Sequence, residues 1–243
     1  MGKISAFPPI ILALLAQLMA LGLSASGIIN DIALQVLLAA LFGLALRLPW
    51  WWLPINLLFP AALLYTLSLQ LPPWLFLIAF SLLLLFNWNS ARERVPLYLS
   101  NHKTWQGLNS LLPVKEQLQF IDLGSGLGGT LLYLARQHPH YRFYGIESSP
   151  LPFAISWLRL RLSKVENIEL RFGDFWKENL GKYDVVYAFL SPDPMPRLYE
   201  KVQQEMRSGA SLISNSFGVP QQPSNHSIQL ADRRHTQLHC WYL

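Results

Sequence analysis

The sequence predicts a protein of two parts, in which four apolar helices precede an α/β domain with a largely parallel sheet. Three observations predict this arrangement. Among the first 88 of the 243 residues, only Lys3, Asp31 and Arg47 are charged. After residue 118, short apolar runs that end in glycine or an acid alternate with helical patterns, as βαβ units require. The C-terminal segment, residues 227–243, is typical of an antiparallel hairpin.

Four apolar stretches fill the N-terminal part, and the turns between them are short. They cover residues 8–29, 32–48, 53–69 and 73–88. Each approaches the roughly 20 residues that a helix needs to cross about 30 Å of hydrocarbon. Five tryptophans lie at the ends of stretches, where their rings favour a membrane interface: Trp50, Trp51, Trp52, Trp74 and Trp88. We therefore expect an all-α transmembrane region of about four helices over residues 1–90.

The basic residues of the N-terminal part predict its orientation. If the N-terminus is cytoplasmic, Lys3, Arg47, Arg92 and Arg94 all lie inside, and the two outer turns carry no Lys or Arg. We expect a multi-pass protein of the inner, cytoplasmic membrane with its second part in the cytoplasm. The alternatives are a cleaved signal peptide, a buried hairpin of a soluble protein, and a pair of membrane-dipping hairpins. Three further apolar stretches and the lack of charge disfavour the first two.

Composition argues against several other classes of protein. The formal net charge of +5 is modest, and no block of five or six like charges forms an arm for nucleic acid. Cys240 is the single cysteine, so we expect neither a disulfide framework nor a thiolate metal cluster. The histidines are scattered, and His138 and His140 are expected in an exposed turn. We predict no metal and no nucleic-acid partner.

The second part is predicted to be a connector followed by a doubly wound sheet. Residues 91–118 are polar and largely helical, and residues 119–243 form the α/β domain. Strands are predicted over residues 119–124, 142–147, 168–174, 183–190 and 210–217, with helices over 129–138, 150–164 and 196–206. Such crossovers are right-handed and place helices on both faces of the sheet. The stripe of Trp157, Leu158, Leu160 and Leu162 is expected to pack in the core.

Polar groups close several of the predicted strands. In open α/β sheets, ligands bind beyond the carboxyl ends of the strands, where the strand order reverses. Those ends carry the glycine loop that begins at Gly124, then Glu147, then Asp174, and finally residues 191–194. We expect these groups to surround one crevice.

The glycine loop "GSGLGG" fits two classes of cofactor site. Gly124, Gly126 and Gly129 match the G-x-G-x-x-G spacing of dinucleotide sites, and the whole loop also fits the looser pattern of methyl-donor enzymes. Asp122 favours the second class, because a carboxylate would oppose a pyrophosphate at the helix N-terminus. S-adenosylmethionine carries an ammonium and a sulfonium and no phosphate, so a carboxylate suits it. Asp122 alone also has a structural interpretation, as a turn or capping residue.

The other acids complete a predicted S-adenosylmethionine site. Glu147 ends the second strand, where an acid accepts hydrogen bonds from ribose hydroxyls of either cofactor. Asp174 is expected to meet the adenine amino group, with Phe175 or Trp176 as an apolar neighbour. The predicted cofactor-binding residues are Asp122, Gly124, Ser125, Gly126, Gly128, Glu147, Asp174 and Phe175.

Three segments resemble the class I S-adenosylmethionine-dependent methyltransferases: residues 120–129, 145–150 and 173–202. Within that class, the chain is similar to the membrane-tethered protein-lysine methyltransferases, whose mitochondrial members modify the adenine nucleotide carrier and the c subunit of ATP synthase. "VPLYLS" before the glycine loop, "DFWK" after the third strand and "L-x-x-K" after the fourth carry the likeness, which covers about residues 94–218. It implies a Rossmann-like class I methyltransferase sheet and methylation of a protein lysine. The chain differs in having four apolar stretches instead of one, and Leu127 where an acid is common.

The segment "FLSPDPM" after the fourth strand lies where this class places its methyl acceptor. We expect Asp193, Ser191 and Tyr187 to act in catalysis. A lysine acceptor must lose its proton, since its reference pKa is about 10.4. Phe189 and Pro192, with Tyr98 and Ser100 from the connector, are expected to contact the substrate. The alternative is a proline-rich turn in which Asp193 caps the next helix.

Together these features predict a membrane-anchored, S-adenosylmethionine-dependent methyltransferase. Its expected partners are the lipid bilayer and a membrane or membrane-proximal protein that it methylates. Lysine is the expected acceptor residue. Two alternatives stay open: methylation of a lipid or small hydrophobic molecule, and a non-catalytic adaptor with a vestigial cofactor site. The complete set of acids at Asp122, Glu147 and Asp174 disfavours the adaptor.

Overall fold

The structure is a computed structural model that describes residues 9–26, 32–86, 88 and 98–243. The chain divides into two compact units, residues 1–76 and 77–243. Lys3, Asp31, Arg92, Arg94 and residues 95–97 of the "VPLYLS" segment lie outside the described residues.

Four helices occupy the predicted apolar stretches. They are α1 (Pro9–Ala25), α2 (Ile32–Ala45), α3 (Trp52–Ser68) and α4 (Pro73–Phe86). Within the described ranges, no helix combines the length and the apolar character that crossing a membrane requires. The helices are 14 or 17 residues long. Residues 46–50 form a turn that contains Pro49, so α2 ends before the predicted stretch does, and Pro72 precedes α4.

Small side chains let the helices of the first unit approach one another. Ala16, Ala20 and Ala39 are fully buried. A Cβ added to Gly43 on α2 would lie 2.6 Å from Asn56 Nδ2 on α3, so a larger residue there would have to displace the Asn56 side chain. Gln17 Nε2 on α1 donates to Asn56 O at 3.1 Å and to Asn56 Oδ1 at 3.2 Å. By contrast, many of the larger apolar side chains of α1–α4 are exposed.

The second unit is built on a seven-stranded mixed sheet. Its strands are β1 (Gln119–Leu123), β2 (Arg142–Glu147), β3 (Ile168–Phe172), β4 (Val185–Ala188), β5 (Ser211–Asn215), β6 (His226–Gln229) and β7 (Gln237–Tyr242). The spatial order is β3-β2-β1-β4-β5-β7-β6. Strands β1 to β5 are parallel, and β7 is antiparallel to both β5 and β6. The predicted Rossmann-like α/β sheet and its C-terminal antiparallel hairpin are confirmed.

Helices cover both faces of this sheet. They are α5 (His102–Leu111), α6 (Gly129–Gln137), α7 (Pro150–Ser163) and α8 (Met195–Glu205). On one face Phe120 packs in a core with residues of α5 and α6, and on the other Ile121 packs with residues of α8. Both faces of β1 are therefore buried, as its nearly continuous apolar sequence predicts.

The predicted core packing of the α7 stripe is wrong. Trp157, Leu158 and Leu162 are 47%, 53% and 75% exposed. The buried residues of α7 are Pro152 and Ser156, four positions apart and so on one side of the helix. Small residues face the sheet, and the large apolar ones point away from it.

Strand order places the candidate site between β1 and β4. The chain adds β2 and β3 on one side of β1, then returns to add β4 and β5 on the other. Asp122 is the partner of Gly145 on β2 and of Tyr187 on β4. The loops after β1, β2 and β4 therefore meet at this switch point, where open α/β sheets bind ligands.

Candidate active site

The glycine loop after β1 has a backbone that glycine alone adopts easily. Gly124, Gly126 and Gly128 have φ of 77°, 54° and 71°, in the left-handed region. The N–H groups of Gly124 and Ser125 both donate to Ile146 O at 2.9 Å, which fixes the loop to the end of β2. Side chains at these three glycines would strain the loop.

The fourth glycine serves packing instead of backbone conformation. A Cβ on Gly129 would lie 2.6 Å from Cζ2 of Trp105, whose ring comes from α5. Gly129 therefore lets α5 approach the first turn of α6. This packing role is compatible with both classes of cofactor site, because the third glycine of a dinucleotide fingerprint also allows close packing.

Glu147 holds the glycine loop through both of its carboxylate oxygens. Oε2 accepts from the N–H of Gly126 at 2.8 Å, and Oε1 accepts from the N–H of Ser149 at 2.7 Å. The side chain is buried at the end of β2. The predicted contact with a ribose stays a prediction, but the carboxylate does lie at the mouth of the loop.

Asp122 is a buried carboxylate at the end of β1, 3% exposed. Burial, and after it the charge of Glu147, raises the pKa of Asp122 to about 8. Its carboxyl group therefore keeps a proton at neutral pH in the ligand-free protein. A cation placed beside it would lower that pKa and draw out the charged form.

Tyr187 lies next to Asp122, below the cleft. It is 1% exposed, and its hydroxyl accepts a hydrogen bond from Asn215 Nδ2 at 3.0 Å. Burial and then the charge of Asp122 raise the pKa of Tyr187. The structure thus groups Tyr187 with Asp122 and Asn215; a direct catalytic role for it stays a prediction.

A cleft of about 160 Å³ opens beside the glycine loop. It is lined by Tyr98, Leu99 and Ser100 on one side and by residues of the loop on the other. Ser100 Oγ accepts from Trp105 Nε1 at 2.7 Å and lies 3.1 Å from Thr130 Oγ1. This volume is below the roughly 300–1,000 Å³ of typical ligand pockets, and residues 98–100 form one part of its wall. The structure brings predicted residues Tyr98 and Ser100 to predicted residues Gly124, Ser125 and Gly126.

An aromatic wall forms beside residues 98–100. The ring of Tyr98 stacks on that of Phe189 with centroids 4.9 Å apart, and the ring of Phe217 lies 5.7 Å away. Phe189 follows β4 and Phe217 follows β5, so the wall joins three loops. Tyr98 and Phe189 were each predicted to contact the substrate; they contact each other, and their role in substrate binding stays a prediction.

The other residues predicted to contact the methyl acceptor, on the loop after β4, differ in exposure. Ser191 is buried, and its hydroxyl has no partner among the described residues, which is also true of the Ser125 hydroxyl. Pro192 and Asp193 are exposed on the turn before α8. Two orphaned buried hydroxyls at the strand ends indicate room for a polar ligand.

Asp174 and Phe175 have local structural tasks at the end of β3. Asp174 Oδ1 accepts from Trp176 N at 2.9 Å and caps a single 3₁₀ turn, Phe175–Lys177. Phe175 packs in the core, while Trp176 is half-buried with the guanidinium of Arg197 4.0 Å from its ring centroid. Of the two predicted apolar neighbours of adenine, Trp176 is the more accessible.

Sequence reasoning missed several residues at the site. They are Trp105, Thr130, Arg159, Asn215 and Phe217. Arg159 on α7 reaches across to donate to Leu127 O at 2.6 Å. These residues come from α5, α6, α7 and the end of β5, and no sequence spacing relates them to the glycine loop. In the described part of the chain, no group of three His, Cys, Asp or Glu side chains is placed to hold a metal ion.

Comparison with known proteins decides between the two classes of cofactor site. Residues 122–226 match the family model described as the ANTKMT methyltransferase domain. The chain contains a methyltransferase domain. The match begins at Asp122 and includes the loop, Glu147, Asp174 and the segment after β4.

Relatives and solved structures agree with this class. The chain is 28% identical over 123 residues to trans-aconitate 2-methyltransferase of Deinococcus radiodurans, covering 49% of this chain and 43% of that one. It is 30% identical over 108 residues to the ATP synthase c-subunit lysine N-methyltransferase of Xenopus laevis, covering 44% and 46%. An RNA methyltransferase from Salinibacter ruber shares the fold, with a TM-score of 0.55 at 22% identity over 60% of this chain and 93% of that one. The chain spans less than half the length of the curated relatives.

The site residues fit the cofactor of this class of methyltransferase, S-adenosylmethionine. The left-handed glycines leave the backbone open to a ligand, and the buried Asp122 offers a carboxylate to a cation. Glu147 and the orphaned hydroxyls of Ser125 and Ser191 add polar groups at the same strand ends. The methyltransferase domain is of the class I, S-adenosylmethionine-dependent kind.

Proposed function

We propose that this protein N-methylates lysine side chains of a membrane or membrane-proximal protein, with S-adenosylmethionine as methyl donor. The observation that carries the proposal is the buried Asp122 beside Glu147 at the glycine loop of a domain that matches the ANTKMT methyltransferases. A curated relative of the same kind is named for lysine methylation of the ATP synthase c-subunit. That name supports lysine as the acceptor for this chain.

The chemistry asks little of the protein beyond positioning. S-adenosylmethionine supplies a methyl group on a positively charged sulfur, and transfer breaks the S–CH₃ bond as the N–CH₃ bond forms. Asp122 and Glu147 would hold the cationic and ribose parts of this cofactor. The cover of Tyr98, Leu99 and Ser100 would exclude water from the reacting atoms.

The acceptor amine must arrive without its extra proton. The wall of Tyr98, Phe189 and Phe217 is apolar and favours the neutral amine over the ammonium ion. Ser191 and Asp193, on the loop after β4, would orient the amine and take its proton. Orientation of two reactants is itself worth several kcal/mol of the barrier.

We also propose that the N-terminal helices hold the enzyme at the inner, cytoplasmic membrane, with the methyltransferase domain on the cytoplasmic side. The support is the exposure of large apolar side chains along α1–α4, together with exposed Trp50, Trp74 and Trp88. The basic residues of the sequence favour this orientation. Association with a membrane would raise the local concentration of a membrane-bound acceptor.

A labelling experiment tests the acceptor. Membranes that contain the full chain are incubated with tritiated S-adenosylmethionine and separated into protein and solvent-extractable lipid. We expect the counts in protein, and in methyl-lysine after hydrolysis, with no counts above background for the variant Glu147→Gln. Counts in the solvent extract would overturn the protein acceptor in favour of a lipid or small hydrophobic molecule.

A small-molecule acceptor is the second candidate function. It is favoured by the likeness to trans-aconitate 2-methyltransferase, over slightly more of this chain than the lysine methyltransferase covers. The same labelling separates it, because a small polar product stays in the aqueous phase and is resolved there from unreacted S-adenosylmethionine by chromatography. A non-catalytic adaptor would show no binding of S-adenosylmethionine at all.

A further inference from the structure

Helix α7 presents an apolar face that the methyltransferase domain does not use. Trp157, Leu158 and Leu162 are exposed, while the buried residues of the helix face the sheet. The guanidinium of Arg161 lies 5.2 Å from the Trp157 ring centroid, so a cation stands directly over the exposed indole. Exposed apolar side chains that cluster on one helix indicate an interaction surface.

Basic residues lie on this helix and just after it, and one exposed acid, Glu166, follows them. Helix α7 itself contains Arg159 and Arg161, with Lys164 just after its end, and no acid. The charge of this surface therefore favours an anionic partner.

The exposed face of α7 lies next to a groove that borders the cofactor cleft. A shallow groove of about 560 Å³ runs between α5, α6 and α7, and its lining includes Tyr133, Arg136 and Leu162. Trp105, Gly129 and Arg159 line both this groove and the cleft beside the glycine loop. A partner that covers the groove would lie next to the site of methyl transfer.

We propose that the face formed by Trp157, Leu158, Arg161 and Leu162 docks the methyltransferase domain on a membrane surface of anionic lipid. Indole and leucine side chains interleaved with arginine on one helix face suit the boundary between headgroups and acyl chains. Basic residues near an anionic lipid surface add electrostatic attraction to the apolar contact. An acidic protein surface would also attract the basic residues. A bilayer in addition supplies an apolar layer in which Trp157, Leu158 and Leu162 can be buried.

This docking goes beyond the proposed function, because it holds whatever group receives the methyl. It also differs from association through α1–α4, which involves no charge. The domain would rest on the lipid through α7, with the cleft beside the surface.

The test measures the depth of a probe at Leu162 in the full chain. The variant Leu162→Cys is labelled with an environment-sensitive fluorophore, and Val114→Cys, at a 99% exposed position in the loop after α5, is the matched control. The native Cys240 is buried and does not compete for label. The protein is reconstituted in phosphatidylcholine vesicles with and without about a third phosphatidylserine, and quenched by a lipid-attached quencher. Unchanged S-adenosylmethionine binding shows that each variant is folded.

We expect quenching at position 162 to exceed that at position 114 by at least about threefold in anionic vesicles. The excess should disappear in neutral vesicles and fall by half or more when Arg161→Glu is added. Equal quenching at the two positions, or quenching that ignores lipid charge, would overturn the proposal. Shielding of position 162 in detergent without lipid would also overturn it, in favour of an acidic protein or a second copy of the chain.

Discussion

Replacing Asp122 with Asn is expected to weaken S-adenosylmethionine binding about 30- to 100-fold and, at the same time, to make the ligand-free protein more stable. Binding weakens because the cationic cofactor loses a buried carboxylate, and hydrogen bonds to charged groups are worth roughly 1.5–3 kcal/mol. Stability rises because the native carboxyl group is buried beside Glu147, so folding opposes its ionisation. Asn has nearly the same shape and no charge to desolvate.

The gain in stability should depend on pH in a defined direction. The folded-state pKa of Asp122, about 8, lies above the ordinary value of 3.8. Between these values the folded protein binds more protons than the unfolded chain, so the wild type loses stability as pH rises through this window. The difference between Asp122→Asn and wild type should therefore widen with pH, by at most about 1.4 kcal/mol per unit. Denaturant unfolding at pH 5.5, 6.5 and 7.5 measures it.

Asp184→Asn is the matched control for Asp122→Asn. Burial opposes ionisation of Asp184, but hydrogen bonds from Gln119 N and Lys115 Nζ, with the charge of Arg207, hold its pKa below the usual range. Neutralising it should lower the free energy of unfolding by about 1–2 kcal/mol and leave cofactor binding unchanged. If Asp122→Asn also destabilised the protein at every pH, the carboxyl group of Asp122 would have an unseen partner.

Replacing Glu147 with Gln is expected to abolish most cofactor binding and to destabilise the protein. Both carboxylate oxygens accept backbone N–H groups, from Gly126 and Ser149. A glutamine amide keeps one acceptor and turns an NH₂ group toward the other N–H, which is then left unsatisfied in a buried place. We expect a loss of about 1–3 kcal/mol in the free energy of unfolding.

Calorimetry and denaturant unfolding of Glu147→Gln check this pair of effects. The variant should bind S-adenosylmethionine at least about 30-fold more weakly than wild type. The charge of Glu147 also raises the pKa of Asp122, so its removal should move the pH dependence of stability to lower pH. Wild-type stability in Glu147→Gln would show that the carboxylate does not hold the glycine loop.

The contrast between the two acids shows what the sequence predicts and what it leaves open. Strand–helix alternation in the sequence predicts that Asp122 and Glu147 lie at the ends of β1 and β2. The sequence therefore places both acids at one crevice. Opposite effects on stability do not follow, because they depend on the burial of Asp122 and on the backbone N–H groups that reach Glu147. Hydrogen bonds between loops distant in sequence leave no periodic signal.

The same limit explains the error in α7. Apolar character alone predicted that Trp157, Leu158 and Leu162 pack in the core, but the small residues Pro152 and Ser156 occupy the side of α7 that meets the sheet. Hydropathy did predict helices in the four N-terminal stretches, where α1–α4 lie, and that these helices cross a membrane stays a prediction. Two of the three residues in the aromatic wall, Tyr98 and Phe189, were predicted from the sequence to contact the substrate. Phe217 was not predicted, because only the fold brings it next to Tyr98.

The central claim is that the carboxylates at the glycine loop accept a cationic sulfonium cofactor and repel a diphosphate. Titration calorimetry of the full chain with S-adenosylmethionine and with a nicotinamide dinucleotide, near pH 7 in two buffers of different ionisation enthalpy, tests it most directly. We predict that S-adenosylmethionine binds with release of a proton, that Asp122→Asn loses this release, and that the dinucleotide does not bind. Binding of the dinucleotide without binding of S-adenosylmethionine would contradict the account.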